Sequence, residues 1–247
     1  MPTALVTGAA KRIGKAIALK LADEGYNIII HYGKSKKDAE DTVQEIIRRG
    51  SKASAISADL SDLSQIDRLV SESLRKFKGI DVLVNNAATF NMDKLSGLTN
   101  ADQFDSAFKA SIDPNLKGPV YLATKLGWHM KTKQKSGVII NIGDWAQYWG
   151  QTYKDYLLYH ISKAGLIGAT FSLATELAPE VRVNMIANGP VEPPENFSEK
   201  DKKSIASRTA LKKWGGADSV AEAVLYLIRN KNSTGDIITN DGGRHLL

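Results

Sequence analysis

The sequence lacks cysteine, and it has no long uninterrupted hydrophobic run. Without cysteine the chain cannot form a disulfide scaffold, a thiolate zinc site or a cysteine nucleophile, and we expect no bound metal. No stretch approaches the roughly 18 apolar residues that a transmembrane helix requires. The amino terminus, MPTALVTG, begins with a strand pattern and has neither a charged leader nor a small-residue cleavage site. We therefore expect a cytoplasmic protein with no membrane partner.

Charge of one sign is not concentrated anywhere in the chain. The 33 lysines and arginines exceed the 27 acidic residues, which gives a formal net charge of +6, but the bases are scattered and form no long run. This distribution predicts a solvated surface and no nucleic-acid partner. With 43% hydrophobic and 24% charged residues, the 247-residue chain has the composition of a globular domain.

Short, nearly continuous apolar runs alternate with longer amphipathic stretches along the chain. Seven runs predict strands, at Ala4–Thr7, Asn27–Tyr32, Lys52–Ser57, Asp81–Asn85, Val138–Ile142, Val181–Ile186 and Asp236–Thr239. Helical periodicity fills the gaps at Ile13–Glu24, Lys36–Arg49, Leu63–Phe77, Ala101–Lys131, Tyr153–Ala178 and Ser219–Arg229. Because continuous apolar strands are typical of parallel sheets covered on both faces, we predict a doubly wound α/β fold. Its sheet should be mostly parallel and seven-stranded, with helices on both faces.

One segment breaks this alternation. Between Pro190 and Lys213 the chain is polar and only weakly helical. Since it follows the sixth strand, at the edge of the sheet where such folds bind ligands, residues 190–213 are predicted to form a lid over a substrate. No repeat or linker divides the rest, so residues 1–247 are assigned to one domain.

The first predicted strand runs directly into the turn TGAAKRIG, residues 7–14, which opens a helix. Gly8 permits the tight turn, and Gly14 permits close packing of the helix on the strand. Free N–H groups at the start of the helix can hold the pyrophosphate of a dinucleotide. Arg12 occupies the place of the usual middle glycine. Alternatively, the glycines serve only the connection between strand and helix.

The end of the second strand indicates which nicotinamide cofactor would bind. An NAD site places Asp or Glu there to bind the ribose diol, but this chain reads HYGKSKK with no acid before Asp38. Lys34 and Ser35 can instead bind a 2′-phosphate, and Lys11 or Arg12 could reach it from the first turn. We therefore predict NADPH as the cofactor. The alternative is that these lysines only flank a helix.

Tyr159 and Lys163 are four residues apart on a predicted helix and so share one face. A unit charge roughly 6 Å from a developing phenolate is worth about 3 kcal/mol at an effective dielectric constant of ~20. We therefore predict that Lys163 lowers the pKa of Tyr159 by about two units from ~10, toward the range useful for proton transfer. Alone, such a pair is common on protein surfaces.

With these motifs in order, the chain resembles the short-chain dehydrogenase/reductase family over essentially its whole length. The matching segments are TGAAKRIG at 7–14, Asp59-Leu60, NNA at 85–87, NLKG at 115–118, Tyr159 with Lys163, NGPV at 188–191 and DGG at 241–243. The resemblance implies that Tyr159 donates a proton, Lys163 binds the nicotinamide ribose and Asn115 holds a proton-relay water. It implies a cofactor site of Gly8, Lys11, Arg12, Ile13, Gly14, Tyr32, Lys34, Ser35, Asp59, Leu60, Asn86, Ala87, Lys163, Gly189, Pro190 and Val191.

Departures from the family pattern resemble its pteridine-reductase branch. Arg12 follows TGAAK, and Asp144 stands at the end of the fifth strand, where a serine is usual. Phe90 follows the NNA segment, where that branch stacks an aromatic ring on a pterin. A flat aminopyrimidine ring suits an aromatic face and a carboxylate that accepts its N–H groups. The predicted substrate contacts are Phe90, Asp144 and Trp145. The predicted catalytic residues are Tyr159, Lys163, Asp144 and Asn115.

Two of these assignments have structural alternatives, since Phe90 could pack a loop and Asp144 could cap a helix. For the function, the sequence favours an NADPH-dependent reductase of a pterin-like heterocycle, a small-molecule substrate. A carbonyl reductase of the 3-oxoacyl or small-ketone type is the main alternative, and a non-catalytic NADPH sensor is the third. Apolar residues on several faces of the two longest predicted helices, together with the resemblance, predict self-association as a dimer or tetramer.

Overall fold

The computed structural model describes residues 1–133, 136–194 and 197–247, which form one seven-stranded sheet. The strands are β1 (Thr3–Val6), β2 (Asn27–Tyr32), β3 (Ala53–Ser57), β4 (Val82–Asn85), β5 (Gly137–Asp144), β6 (Val181–Asn188) and β7 (Ile237–Asn240). Every pairing is parallel, and the spatial order is β3-β2-β1-β4-β5-β6-β7. The order reverses between β1 and β4, so the predicted doubly wound fold is confirmed.

Helices cover both faces of this sheet. They are α1 (Arg12–Asp23), α2 (Lys36–Arg48), α3 (Leu63–Phe77), α4 (Ala101–Ile112), α5 (Gly118–Thr132), α6 (Trp145–Tyr148), α7 (Leu157–Leu177), α8 (Glu199–Ala206) and α9 (Ala217–Arg229). Helices α1, α2 and α9 share one core, which includes the fully buried Ile17 and Ile46. Helices α3, α5 and α7 share the core on the other face, with Leu69 and Leu126. Burial on both faces explains the continuous apolar strands.

Two kinds of feature are absent from the described part of the chain. None of its helices is long and apolar enough to cross a membrane. Within the same three ranges, no cluster of three or more histidine, cysteine, aspartate or glutamate side chains is arranged to hold a metal ion.

The stretch predicted as one helix, residues 101–131, is broken by a π-helical segment at Asp113–Lys117. Pro114 accounts for part of the break, because proline has no N–H to donate within a helix. Single π-helical turns often lie at functional sites. This one carries Asn115, which is buried and contacts Ser162 on α7. The prediction of one continuous helix was therefore wrong at the position that matters for the site.

The helix predicted from Tyr153 begins instead at Leu157. The loop after β4 explains this start. The carboxylate of Asp93 accepts a hydrogen bond from the N–H of Leu158 at 2.6 Å, and the N–H of Asp93 donates to the carbonyl oxygen of Asp155 at 2.7 Å. A side-chain acceptor at the amino end of a helix satisfies an N–H group that has no partner within the helix.

The predicted lid, residues 190–213, contains the ordered helix α8. Its amino end is capped, because Oγ of Ser198 accepts from the N–H of Asp201 at 3.2 Å and the Asp201 carboxylate accepts from the N–H of Ser198 at 3.2 Å. Glu195 and Asn196, which belong to the same predicted lid, lie outside the described residues. That the segment acts as a lid stays a prediction.

Candidate active site

Two of the clefts formed by the described residues lie at the carboxyl edge of the sheet, where folds of this type bind ligands. The first, of about 650 Å³, has Gly8, Lys34, Asp59, Leu60 and Ala87 on its wall and is called the β2 cleft. The second, of about 510 Å³, lies at the ends of β5 and β6 and is called the β5 cleft. Its wall includes Phe90, Asp144, Trp145, Tyr153, Tyr156, Tyr159, Arg208 and Arg244.

The turn after β1 leaves little room for a side chain at Gly8 and none at Gly14. Gly8 has φ +63°, in the left-handed region, and its N–H donates to Nδ1 of His31 at 3.2 Å. A Cβ added to Gly14 would collide with the carbonyl oxygen of Gly8 and with the side-chain amide of Asn86. Asn86 in turn donates to the carbonyl oxygen of Thr7 at 2.9 Å. The start of α1 is thereby held close to β1 and β4.

His31 organises this turn, although the sequence did not single it out. The ring is buried in β2, where Nδ1 accepts from Gly8 and Nε2 donates to the carbonyl oxygen of Ala58 at 3.0 Å. Burial lowers its pKa to about 4, so the ring is neutral near pH 7, as these two contacts require. The available signal was a histidine that directly follows three isoleucines in the predicted strand.

Arg12 adopts φ +56° at the first residue of α1, a conformation that usually favours glycine. Its guanidinium pairs with the carboxylate of Glu192 (Nε to Oε2, 3.5 Å) and donates to the carbonyl oxygens of Glu192 and Pro193 at 3.3 and 3.2 Å. The structure therefore places Arg12 against the segment after β6 rather than at the β2 cleft, where a 2′-phosphate was expected.

The other predicted cofactor residues are divided between the two clefts and their borders. Lys34 is exposed on the wall of the β2 cleft. The Asp59 carboxylate accepts from the hydroxyl and the N–H of Ser61 at 2.6 and 2.9 Å, which holds the pKa of Asp59 below its ordinary value. The β5 cleft is lined by Ile13, Gly189, Pro190 and Val191. Lys11 precedes α1, Tyr32 ends β2 and Ser35 precedes α2.

Asn188 provides a direct test of whether a dinucleotide fits these clefts. Its Oδ1 accepts from Nδ2 of Asn240 at 3.0 Å, but its own buried Nδ2 has no partner among residues 1–133, 136–194 and 197–247. An unpaired buried donor is costly, and Asn188 lies on the wall of the β5 cleft, where a ligand acceptor would satisfy it. With the glycine turn beside the β2 cleft, this unpaired donor fits a dinucleotide, which would supply an acceptor for it.

Asp144, the last residue of β5, is bound by two phenols. Tyr159 donates to its Oδ2 at 3.0 Å, and Tyr153 donates to its Oδ1 at 3.2 Å. The N–H of Ala146 also donates to Oδ1, at 2.8 Å, so the carboxylate caps α6 as well as facing the predicted proton donor. Tyr153 was missed from the sequence, because its contact depends on how residues 145–156 fold.

The carboxyl and the phenol both hold their protons more tightly than usual. Burial raises the pKa of Asp144 above its ordinary value, although its hydrogen bonds and the nearby Lys163 favour the charged form. Burial and the charge of Asp144 raise the pKa of Tyr159 well above that of free tyrosine. The prediction that Lys163 lowers the pKa of Tyr159 was therefore wrong, because desolvation and Asp144 outweigh the lysine. A carboxyl with a raised pKa is better suited to donate a proton near neutral pH.

Lys163 is buried and donates to the carbonyl oxygen of Ile142 at 2.8 Å. Its Nζ lies 5.9 Å from the centre of the Tyr159 ring. Burial lowers its pKa to about 8, an effect that the charge of Asp144 partly offsets. The ammonium therefore remains mostly charged at pH 7.

Asn115 fastens the loop after β4 to α7. Its Oδ1 accepts from the N–H of Thr89 at 2.7 Å, while its Nδ2 donates to the carbonyl oxygen of Thr89 at 2.8 Å and to Oγ of Ser162 at 3.3 Å. These contacts position the residue that follows Thr89, which is Phe90. The part of Asn115 in a proton relay stays a prediction.

Aromatic side chains surround the carboxylate. Phe90 is half exposed and stacks on Tyr156, with ring centroids 4.2 Å apart and planes 14° apart. Phe90 also makes an edge contact with the Tyr159 ring at 4.7 Å. The buried Trp145 forms another wall, and the guanidinium of Arg244 lies 5.4 Å from the centre of its ring. Such a cleft suits a flat ring with polar edges.

A parallel sheet with a glycine turn at its switch point, and a tyrosine, lysine and carboxylate beside the adjoining cleft, defines a dinucleotide-dependent oxidoreductase. The chain belongs to the short-chain dehydrogenase/reductase family, and a family model described as enoyl-(acyl carrier protein) reductase matches residues 8–245. The predicted family and the prediction of an NAD(P)H-dependent enzyme are thereby confirmed. The pteridine-reductase branch is a finer assignment and is taken up below.

Relatives of two kinds are similar to this chain over nearly its whole length. The 3-oxoacyl-acyl-carrier-protein reductase FabG of Staphylococcus aureus is 34% identical, and the match covers 99% of this chain and 98% of that protein. The 3-oxoacyl-acyl-carrier-protein reductase of a Synechocystis species is 37% identical, covering 97% and 95%. Among solved structures, FolM alternative dihydrofolate reductase 1 from Brucella canis, complexed with NADP, is 33% identical with a TM-score of 0.88, covering 100% and 95%.

Proposed function

We propose that this enzyme is an NADPH-dependent reductase of a pterin-like heterocycle. The observation that carries the proposal is the carboxylate of Asp144 at the end of β5, which accepts a hydrogen bond from Tyr159 and lies among aromatic walls. A charged carboxylate repels a carbonyl oxygen that becomes negative during reduction, but it accepts the N–H groups of an aminopyrimidine ring. The similarity to FolM alternative dihydrofolate reductase supports the same substrate class.

Bound NADPH would supply the hydride, and the chain's own groups supply the proton. The raised pKa of Asp144 keeps a proton on this carboxyl at higher pH than usual, and its Oδ2 lies 3.0 Å from the Tyr159 hydroxyl. The pair can therefore deliver a proton to a ring nitrogen. Lys163, held on the carbonyl oxygen of Ile142, keeps a positive charge beside the pair. Phe90 offers its exposed face to the ring.

We further propose that residues 190–213 form the lid of the β5 cleft. Phe197 and Ile205 from this segment lie on the wall of the cleft, and Arg12 holds its early part through Glu192. Closure of the segment would exclude water from the reacting groups and strengthen the electrostatic interactions around them.

Reduction of 3-oxoacyl thioesters is a second candidate, which the FabG relatives favour. That reaction requires a group beside Tyr159 that stabilises an oxygen as it gains negative charge. Asp144 meets this requirement only in its protonated form, and its charged form opposes it. Asp144 suits the heterocycle in either form, as an acceptor of ring N–H groups when charged and as a proton donor when protonated, but it suits the thioester only when protonated.

The experiment that separates the two candidates is a turnover assay with NADPH and two substrates, 7,8-dihydrobiopterin and an acetoacetyl thioester. We expect kcat/KM to be at least about tenfold higher for the dihydropterin, because only this ring can use the carboxylate as an acceptor. Efficient reduction of the thioester without turnover of any dihydropterin would refute the proposal.

We propose a preference for NADPH over NADH on observations other than those that indicate the substrate. Lys34 places a cation on the wall of the β2 cleft, and no acid follows β2 before Asp38. The similar FolM structure is complexed with NADP. A cation without an acid at this position favours NADPH, whose 2′-phosphate is an anion.

Lys34→Asp is expected to weaken NADPH binding at least about tenfold and to strengthen NADH binding, because it repels the phosphate and offers an acceptor to the ribose diol. Fluorescence titration of both cofactors gives the ratio of their Kd values. Lys37→Asp makes the same charge change on α2 away from the cleft wall and should leave the ratio unchanged. Equal affinities of the unmodified enzyme for NADPH and NADH would contradict the proposed preference.

We also propose that the chain self-associates, as a dimer or tetramer, through α4 and α7. Helix α4 is exposed along most of its length, and Phe104 and Phe108 stack on its surface with centroids 5.8 Å apart. Phe171 on α7 is exposed as well. An exposed apolar surface of this kind marks a protein contact. Light scattering should give the mass of two or four chains, whereas the mass of one chain would refute self-association.

A further inference from the structure

The two oxygens of the Asp144 carboxyl have different hydrogen-bond partners. Oδ1 accepts from the N–H of Ala146 at 2.8 Å and from the hydroxyl of Tyr153 at 3.2 Å, whereas Oδ2 accepts from the hydroxyl of Tyr159 at 3.0 Å. Each carboxylate oxygen accepts roughly two hydrogen bonds, so these donors fill both acceptor positions of Oδ1. Tyr153 supplies one of the two, although the chemistry proposed above gives it no part.

Tyr153 is held in place through its backbone and its ring. Its N–H donates to Nε2 of His160 on α7 at 2.7 Å, and the centroids of the two rings lie 5.1 Å apart. The centroids of the Trp145 and Tyr156 rings each lie 6.4 Å from that of Tyr153. Packing that fixes a rotamer also fixes the position of the polar group at its end. The hydroxyl of Tyr153 is therefore positioned before any substrate binds.

A donor on the other side of this hydroxyl sets its direction. The side chain of Trp145 hydrogen-bonds to the phenol of Tyr153, and an indole N–H can only donate. The phenol oxygen is the acceptor in that contact, and its own proton is directed to Oδ1 of Asp144. Burial, together with the charge of Asp144, raises the pKa of Tyr153 well above its ordinary value. The phenol of Tyr153 therefore keeps its proton near pH 7.

The two donors on Oδ1 determine which oxygen carries the proton of the neutral carboxyl. A proton on Oδ1 would meet the N–H of Ala146, which cannot accept it, and the hydroxyl proton of Tyr153. Oδ2 is left, and its partner Tyr159 is a hydroxyl that accepts as well as donates. When Tyr159 gives its proton to a ring nitrogen, the Oδ2 proton replaces it, and Asp144 becomes a carboxylate. The electron pair comes with the hydride from NADPH, so the carboxyl supplies only a proton.

We propose that Tyr153 is a positioning residue for Asp144, which keeps the proton of the carboxyl on Oδ2 and stabilises the carboxylate that forms when this proton leaves. This inference rests on the proposed function, because the proton passes to a ring nitrogen of the substrate. The role of Tyr153 differs from that of Tyr159, since the Tyr153 proton is never transferred.

The proton affinity of Asp144 depends on groups from several neighbouring elements. Burial raises its pKa. The groups that favour its charged form are the N–H of Ala146 on α6, Tyr159 and Lys163 on α7, and Tyr153 in the loop between these helices. Arg244, near the carboxyl end of the chain, acts on Tyr153 through its charge. Removal of the Tyr153 hydroxyl leaves the other groups in place, so we expect it to raise the pKa of Asp144 further.

Tyr153→Phe keeps the packed ring and removes the hydroxyl. With NADPH and 7,8-dihydrobiopterin, we expect kcat to fall at least about threefold, because a carboxyl that holds its proton more tightly releases it more slowly. The alkaline limb of the profile of kcat against pH should move to higher pH by at least about half a unit, because the proton stays on Asp144 to higher pH. Tyr148→Phe removes an exposed hydroxyl from α6 and is the matched control, expected to change neither quantity.

Infrared difference spectroscopy of the NADPH-loaded enzyme tests the same point without turnover. The carbonyl band of the protonated Asp144 carboxyl is identified by its absence from Asp144→Asn. In Tyr153→Phe this band should shift to higher frequency and persist to higher pH. A carbonyl oxygen that loses a donor has a stiffer bond, so the frequency shift identifies Oδ1 as the oxygen without the proton.

A lower kcat at every pH, with an unmoved alkaline limb and an unmoved carboxyl band, would give Tyr153 only a structural role and overturn the proposal. An unchanged kcat with an unmoved band would overturn it as well. The Kd for NADPH should stay within about twofold in Tyr153→Phe, which shows that the variant is folded. Failure of the proposed function gives a different result, since the unmodified enzyme would then turn over no dihydropterin, whereas the infrared band can still be measured.

Discussion

Replacement of Tyr159 by phenylalanine is expected to lower kcat at least about 100-fold and to leave the Kd for NADPH within about twofold. The Tyr159 hydroxyl donates to Oδ2 of Asp144 at 3.0 Å, so its removal takes away one member of the proton-donating pair. The ring and its edge contact with Phe90 remain. A loss of kcat without a loss of cofactor affinity identifies a group that acts mainly in the transition state.

Single-turnover kinetics and a fluorescence titration measure the two quantities. Tyr226→Phe is the matched control, since this tyrosine is exposed on α9 and its hydroxyl contacts only Asn230 among the described contacts. If Tyr159→Phe retains more than about a tenth of the activity, another group donates the proton. Tyr153 would be the first to examine, because its hydroxyl lies 3.2 Å from the other oxygen of Asp144.

Asp144→Asn should produce the second large effect, a decrease in dihydropterin reduction of at least about tenfold. Asparagine keeps an oxygen that can accept from the N–H of Ala146, so α6 remains capped, but it cannot carry the proton of a carboxyl. Reduction of a simple ketone should be unchanged or faster, because a negative charge no longer opposes the developing oxyanion. Asp144→Ser extends the comparison, since it restores the hydroxyl usual at this position.

Both substrates are assayed against both variants and the unmodified enzyme. If Asp144→Asn slows ketone and dihydropterin reduction equally, the carboxylate supports the local structure rather than selecting the substrate. If the ketone is reduced efficiently by the unmodified enzyme and dihydropterins are not, the heterocycle proposal itself fails.

The pH dependence of stability gives an independent check on Asp144. Burial raises its pKa, so the folded chain binds this proton more tightly than the unfolded chain. The resulting contribution to the free energy of unfolding is complete below the ordinary carboxyl pKa and is lost as pH rises through the raised pKa. Thermal unfolding over this range should show the unmodified enzyme losing stability relative to Asp144→Asn. A difference that is independent of pH would contradict the raised pKa.

Features that depend on residues close together in the sequence could be predicted from it. The seven strands follow from continuous apolar runs, and the turn after β1 follows from the spacing of Gly8 and Gly14. Tyr159 and Lys163 share a helix because they are four residues apart. Pro114 was visible as well, but one proline inside a long amphipathic pattern does not show whether the helix kinks, ends or forms a π-helical turn.

Features that join distant parts of the chain could not be predicted in this way. Arg12 pairs with Glu192, and Arg244 packs on Trp145, only because the sheet brings their loops together. The predicted direction of the Tyr159 pKa shift was wrong for the same reason. Charge spacing along a helix is local, whereas desolvation depends on everything that packs around the phenol.

The contact between Arg12 and Glu192 joins the turn that begins α1 to the segment proposed as a lid. If a bound dinucleotide changes the conformational freedom of this guanidinium, it also changes the free energy of the lid segment. It thereby changes the affinity of the β5 cleft for the substrate. Thermodynamic linkage makes this coupling reciprocal, so the two ligands alter each other's affinity by the same factor. The strength of this coupling then depends partly on a side chain of the first turn, and not only on the groups at the reacting centre.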